Sequence, residues 1–405
     1  MKSIALCKNI EVLFALPRFA AKKAMQALGL ARAPGSEPKR VIVACIAHMG
    51  DTLCALPALH ALRCAWPHAR IFLTCPGALA PFIRRAPFGI TPLVMDDADP
   101  LKLLKALVLQ RHFDEGFVIW HRRDVLLAQA LGCCRITAFK GFSKGIYTRL
   151  IDEERPEPAC LNLEERICSM LGGAPSNERG GSAQTAGARA GITGMKMTQL
   201  GGEHCNLNKI PCRFIISDWY PELSFPIRRN QNVFLQLGAK SGARLLPPAC
   251  WQRIASLASS LGFHVILSGE RSDARIADAV DPKRRLERAL GRFSLDELAL
   301  ELAKSALLVT VDTGIMHLAK FTGVPVVALL AGTPCERVRP SAYFGESPFH
   351  AFQAKVECPR KNPSCSALLR FCLQVEDGYS RCMRQLPMEG ILSCIEGILK
   401  GEARA

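Results

Sequence analysis

Apolar positions along this chain come in short, dense blocks set apart by polar loops. Runs at 41–46, 71–75, 233–237, 264–267, 307–311 and 326–330 are rich in Val, Ile and Leu. Such runs suit strands buried on both faces. Between them, apolar residues recur at helical spacing, which predicts helices over 52–66, 101–109, 124–131, 249–261, 274–280, 298–303 and 316–321. Further strands are expected at 117–120 and 136–139. Ser294 and Glu297 have the spacing of a capping box at the start of the 298–303 segment. Strand and helix thus alternate twice along the chain, so the expected class is α/β, with two doubly wound, Rossmann-like domains.

Length and composition agree with two cores. At 405 residues the chain exceeds what one hydrophobic core usually serves. Between 172 and 211 the sequence turns to Gly, Ala, Ser, Thr and Asn without apolar periodicity, as in a low-complexity insertion or linker. We therefore expect a basic N-terminal extension over 1–39, an N-terminal domain over 40–171 and a C-terminal domain over 212–384. A last helical segment, 385–405, follows.

Charge narrows the partners. Lys and Arg number 52 against 36 Asp and Glu, a net charge of +16, which favours nucleic acid, an anionic membrane face or phosphorylated small molecules. Residues 1–40 hold eight Lys/Arg and two Glu. Their apolar positions are broken by Glu11, Arg18, Lys22 and Lys23, so the segment reads as neither a signal peptide nor a span. It reads either as a basic amphipathic helix for an anionic inner-membrane surface or as an extension docked on its own domain. Aromatic residues are few and no nucleic-acid-binding motif occurs, so nucleic acid is not the expected partner. The 18 cysteines lie mostly in apolar segments, as reduced thiols of a cytoplasmic protein do.

The candidate chemistry sits at the ends of the predicted strands, where open parallel sheets bind ligands. Met49, Gly50 and Asp51 follow the first strand. Asp51 is either a helix cap or a carboxylate kept ionised for use as a general base. In the second half Lys240, Ser241 and Arg244 follow one strand, Glu270 another, and Asp312, Thr313, Gly314 and His317 a third. Cations and helix N-termini suit a diphosphate, while carboxylates suit the hydroxyls of a ribose or sugar. No GxGxxG or GxxxxGK[ST] follows a strand, which argues against the dinucleotide and P-loop classes. Asp97-Ala98-Asp99 has the two-carboxylate form that some sugar-nucleotide enzymes use for a metal, but it lies in a polar turn before Pro100 and reads as a solvated loop.

Three of these stretches carry a resemblance. Met49-Gly50-Asp51 ahead of Leu56-Pro57-Ala58-Leu59, Leu237-Gly238-Ala239 ahead of a proline-opened helix, and Val311-Asp312-Thr313-Gly314-Ile315-Met316-His317 resemble glycosyltransferase family 9, the lipopolysaccharide heptosyltransferases and their relatives. The resemblance covers about 40–398 apart from the insertion. It implies a GT-B fold, with two Rossmann-like domains facing across a cleft and the last helix returning to the first domain. It also implies metal-independent, inverting transfer of heptose from ADP-L-glycero-D-manno-heptose to the lipopolysaccharide inner core, by a cytoplasmic enzyme peripheral to the inner membrane and without a cofactor. Asp51 would be the base, with Met49 and Gly50 in the acceptor-side loop. Glu270 would meet the nucleoside, and Lys240, Ser241, Arg244, Asp312, Thr313, Gly314 and His317 the diphosphate–sugar.

The chain also departs from that family. Leu245 stands where many members have a lysine, and Arg244 and Lys240 are its nearest substitutes. Some relatives glycosylate proteins or use other sugars, and an inactive scaffold is the further alternative. Cys358, Cys365, Cys372 and Cys382 could hold a structural zinc or iron, although their spacing forms no CxxC pair; packed, reduced thiols are the other reading.

Overall fold

The computed structural model describes residues 2–27, 37–45, 48–95, 105, 107–109, 112–119, 122–139, 147–155, 163–165, 167, 216–223, 227–344, 348–357, 372 and 375–401. The 172–211 insertion, the Asp97-Ala98-Asp99 turn, Cys358 and Cys365 lie outside them. The chain divides into two compact units, Met1–Cys212 and Arg213–Ala405.

The first unit opens with helix α1 (Lys2–Ala27). Its sheet comprises β1 (Arg40–Ala44), β2 (Arg70–Cys75), β3 (Ile90–Val94), β4 (Phe113–Val118), β5 (Cys133–Phe139) and β6 (Glu153–Arg155). The strands lie in the order β3-β2-β1-β4-β5-β6, and every pair is parallel. The order reverses between β1 and β4, which makes the carboxyl end of β1 the switch point of the sheet. Asp114 explains why β4 begins with polar residues: its Oδ2 accepts the backbone N–H of Lys39 at 2.7 Å and of Arg40 at 2.8 Å, fixing the start of β1 beside it.

The predicted 52–66 helix is two pieces, α2 (Met49–Leu53) and α3 (Leu56–Ala65). The break falls just before Pro57. At the second position of α3 this proline lacks only an N–H that would have had no intrahelical acceptor. α3 buries Leu56, Ala58, Leu59, Ala61 and Leu62. On the other side of the sheet, α4 (Arg122–Ala130) carries Val125, Leu127, Ala128 and Ala130, all with no exposed surface. They share a core with Ile42, Val118 and Ile136. α1 joins that core through Ala15, with Ile10, Phe14 and Phe19 packed against it. Among the described residues no helix is long and apolar enough to cross a membrane.

The second unit repeats the scheme. Its strands are β7 (Asn232–Gln236), β8 (His264–Gly269), β9 (Glu287–Leu290), β10 (Leu307–Val311), β11 (Val326–Leu330) and β12 (Phe349–Gln353). They lie in the order β12-β11-β10-β7-β8-β9, all parallel. Counted from its own first strand, this is the order of the first sheet, with the switch point between β7 and β10. β10 and β11 are buried at every residue, as their unbroken apolar sequences require. α5 (Pro248–Ser260) buries Trp251, Ile254, Ala255 and Ala258. α6 (Leu295–Lys304) starts at the expected capping box, where Ser294 Oγ accepts from Glu297 N at 3.3 Å and Glu297 Oε2 accepts from Ser294 N at 2.8 Å. α7 (Gly314–Ala319) follows β10. A two-stranded antiparallel ribbon, β13 (Val375–Glu376) with β14 (Tyr379–Ser380), precedes the last helix. That helix, α8 (Met388–Leu399), packs on α5 and buries Ile391 and Ile395 in the second unit's core.

Candidate active site

In the first unit the candidate residues Met49, Gly50 and Asp51 lie in the turn from β1 into α2. His48 is the N-cap residue, without a side-chain cap, and Asp51 lies in the first turn of α2, half-buried. Asp51 is therefore a first-turn acid near the positive end of a short helix, and it does not occupy the cap position. The turn is tied down around it. Thr52, fully buried, donates its hydroxyl to His48 O at 3.2 Å. Cys45 N donates to Thr74 Oγ1 on β2 at 2.7 Å. Cys45 is buried, and burial first, then the charges of Asp124 and Asp51, pushes its thiol pKa up, so it packs as a neutral group. Asp124, fully buried in the first turn of α4, is thus a second carboxylate close to this turn. It stands in a helical stretch, and nothing in its spacing sets it apart from a cap.

In the second unit the cluster gathers at the carboxyl ends of β7, β8 and β10. Arg244 ends a short 3-10 turn (Gly242–Arg244) that Ser380 on β14 holds from outside, donating to Ala243 O at 2.7 Å. From there Arg244 reaches Asp312: Nη1 donates to the Asp312 carbonyl at 3.2 Å, and Nε forms an ion pair with Oδ2 at 3.4 Å. Thr333, in the loop after β11, donates to the same Oδ2 at 2.6 Å. That loop is held in turn by Gln353 of β12, whose Nε2 donates to Ala331 O at 2.8 Å and Thr333 O at 3.0 Å. The buried Asp312 carboxylate is thereby committed to one guanidinium and one hydroxyl, as a charge removed from water must be. Thr313 is the N-cap residue of α7, without a side-chain cap; its hydroxyl lies 3.4 Å from that of Thr310. Thr313 and Gly314 are partly exposed at this helix start.

His317 is on the inner face of α7 and only 6% exposed. Burial, with Lys320 and Arg244 as nearby cations, holds its imidazole pKa well below the ordinary value. At neutral pH it is therefore an uncharged donor–acceptor. Lys320, one turn on, is 2% exposed, and its Nζ approaches Arg339 O at 3.5 Å. Arg244 and Lys320 are thus two cations close to His317, a balance suited to an anionic ligand.

Glu270 is exposed and caps the short turn after β8, where it forms a capping box with Asp273. Asp273 Oδ2 accepts from Glu270 N at 2.8 Å. The same carboxylate presses on the loop after β7 so closely that a Cβ at Gly238 would lie 2.0 Å from Oδ2. Gly238 is thus glycine because a neighbouring carboxylate occupies the space of a side chain. Burial raises the pKa of Asp273.

The second unit therefore joins Arg244 to Asp312, with His317 beside them, and it sets Thr313 and Gly314 at the adjoining helix start. Ser241 is buried at the base of the Arg244 turn, and Lys240 is exposed on it. No hydrogen bond ties Glu270 to the Asp312 cluster among those described. Leu245 closes the 3-10 turn in extended conformation. Thr333, Lys320 and Asp273 are additional polar groups of this region. Among the cysteines, Cys372 is half-buried and Cys382 packs against the second unit's core.

The sequence profile of glycosyltransferase family 9 (heptosyltransferase) matches residues 204–350. No curated protein matches the sequence. Among solved structures, the ADP-heptose lipopolysaccharide heptosyltransferase II of E. coli superposes with TM-score 0.59 at 15% identity, covering 90% of this chain and 99% of that one. A family 9 glycosyltransferase from Veillonella parvula gives 0.64 at 16%, covering 90% and 98%. An E. coli heptosyltransferase solved with ADP gives 0.60 at 14%, covering 89% and 99%. At such identities the likeness establishes the fold, which is GT-B with two Rossmann-like domains. The switch-point cluster of the second unit lies inside 204–350, the segment that is similar to glycosyltransferase family 9 (heptosyltransferase).

Proposed function

We propose that this chain is an inverting glycosyltransferase that moves heptose from ADP-L-glycero-D-manno-heptose to the inner core of lipopolysaccharide, on the cytoplasmic side of the inner membrane. The observation that carries the reading is the second unit's cluster: Arg244 fixed on Asp312 beside the α7 start, with a neutral His317 behind it. Such a site offers a guanidinium and helix N–H groups to a diphosphate without further rearrangement.

Asp51 takes the proton of an acceptor hydroxyl. The freed oxygen forms a bond to the anomeric carbon while the bond from that carbon to the β-phosphate oxygen breaks, and ADP leaves with the electron pair. Charge then grows on the departing diphosphate, where Arg244 and the N–H groups after Asp312 stabilise it. Glu270 is assigned to the nucleoside hydroxyls, and Lys240 and Ser241 to the phosphate edge.

The test is a thermal-shift titration with ADP-heptose beside UDP-, GDP- and CMP-linked sugars, because a ligand of the folded state raises the melting temperature. ADP-heptose is expected to give the selective shift. A shift with another nucleotide sugar would replace the donor, and no shift with any would refute the reading. Asp51→Asn should keep the donor-induced shift and lose about 10²–10⁴-fold in turnover; turnover at the wild-type rate would remove Asp51 as the base.

A further inference from the structure

α1 is not docked as a helix that only covers a core. Its inward face is mixed: Ile10, Phe14, Ala15 and Phe19 pack on the core, but Glu11, with no exposed surface, and the half-buried Arg18 and Lys22 are turned inward with them. Lys22 Nζ pairs with Asp152 at 2.5 Å, and Arg18 Nη2 donates to Leu107 O at 3.1 Å. The outward face carries Val12, Leu13, Leu16, Ala20 and Ala24, and Leu13 is 69% exposed. Surface helices of water-soluble proteins place these two classes the other way about. Just beyond the Leu107 carbonyl that Arg18 holds, Val108 and Leu109 are exposed as well, Leu109 by 63%. With Met25, these make six of the seven exposed large apolar residues described in the whole chain. A concentration of that kind marks an interaction surface.

We infer that the outward face of α1, with the adjoining 108–109 segment, is the surface on which the protein lies on an anionic lipid bilayer. Charge decides between the possible occupants. Glu11 is the only acid in α1, and it is turned inward. The outward side therefore presents Lys23, with Lys105 exposed on the neighbouring segment, and no carboxylate among the described residues of α1. A second copy of the chain would bring two such like-charged faces together. Acidic headgroups complement the face, and the acyl boundary takes its leucines. A helix of 26 residues is about 39 Å long, and lying in the interface plane it buries one side, as this exposure pattern requires.

The inference deepens the membrane-side part of the proposed function, so its test uses neither donor nor acceptor. The full-length protein is sedimented with vesicles of phosphatidylglycerol mixed with phosphatidylethanolamine, and with phosphatidylcholine vesicles, at low and high salt. Wild type is expected to bind the anionic vesicles, more weakly at high salt. Leu13→Glu/Leu16→Glu should bind at least about tenfold more weakly with an unchanged melting temperature, since both positions are exposed. Lys23→Glu should weaken binding to anionic vesicles alone. Wild-type binding by the double variant overturns the inference. So does a wild-type dimer in sedimentation velocity that Leu13→Glu/Leu16→Glu converts to a monomer without any vesicle binding. If vesicle binding stands while no sugar nucleotide shifts the melting temperature, the transferase reading fails and the surface remains.

Discussion

Thr333 offers a sharp test of how the second unit's cluster is held. Its hydroxyl donates to Asp312 Oδ2 across 2.6 Å, with the two residues 9% and 6% exposed. Thr333→Val replaces the hydroxyl by a methyl of similar volume, so packing is kept while the carboxylate loses its hydroxyl donor and keeps the ion pair with Arg244. A hydrogen bond to an ionised, buried group is worth roughly 1.5–3 kcal/mol. Arg244 remains in place, so the expected loss is that amount and not the larger cost of an unpaired charge. In a unit of this size the melting temperature should fall by about 3–12 °C. Native-state hydrogen exchange of the β10 and β11 amides reads the loss within this unit alone. Thr333→Ser, which keeps the hydroxyl, should stay near wild type. A Thr333→Val protein within about 0.5 kcal/mol of wild type would refute the assignment of this bond as a support of Asp312.

Arg244→Lys removes the fork that engages both the carbonyl and the carboxylate of Asp312, and ADP binding by calorimetry should weaken about tenfold; unchanged affinity would take Arg244 out of the donor site. His317 has a lowered folded-state pKa, so below about 6.5 the unfolded chain binds a proton that the folded one refuses, and stability falls with pH there while staying level above. As pH falls below about 6.5 wild type should lose stability, by at most about 1.4 kcal/mol per pH unit from this group, and His317→Gln should have the shallower melting profile; equal slopes would refute the assignment. Gly238→Ala would set a Cβ 2.0 Å from Asp273 Oδ2 and should cost roughly 1–3 kcal/mol, much of it recovered in Gly238→Ala/Asp273→Ala by denaturant titration. No recovery would mean that the carboxylate is not the obstacle.

The strands that hydrophobic patterning reveals are the central ones. β1, β2, β7, β8, β10 and β11 are covered on both faces, so each reads as an apolar run. The four sheet edges, β3, β6, β9 and β12, give no such signal. β6 reads Glu-Glu-Arg and β9 Glu-Arg-Ala-Leu, and β3 contains Pro92, which an edge strand tolerates because one side needs no ladder bond. Asp312, Thr313, Gly314 and His317 were legible as a motif at a strand end, and so was Asp51. Thr333 and Lys320 were not, because their role depends on how β11 and α7 pack beside β10. Asp273 was hidden for the same reason: its importance lies in the space above Gly238, which spacing along the chain does not encode. The orientation of α1 was also beyond reach, since a helix with both apolar and charged sides can dock by either.

That orientation has a consequence during synthesis. The residues that hold α1 in place are distant in sequence: Lys22 and Asp152 are separated by 130 positions, and the α4 surface on which it rests begins at Arg122. At roughly 5–20 residues per second, the ribosome delivers α1 many seconds before the site that receives it. All the strand pairs of the first sheet are parallel as well, so none closes as a local hairpin and the dock forms late. For that interval the helix emerges with its leucines and its positive charges both unengaged. A nascent chain in this state exposes its apolar and its basic residues together until its own domain can receive the helix.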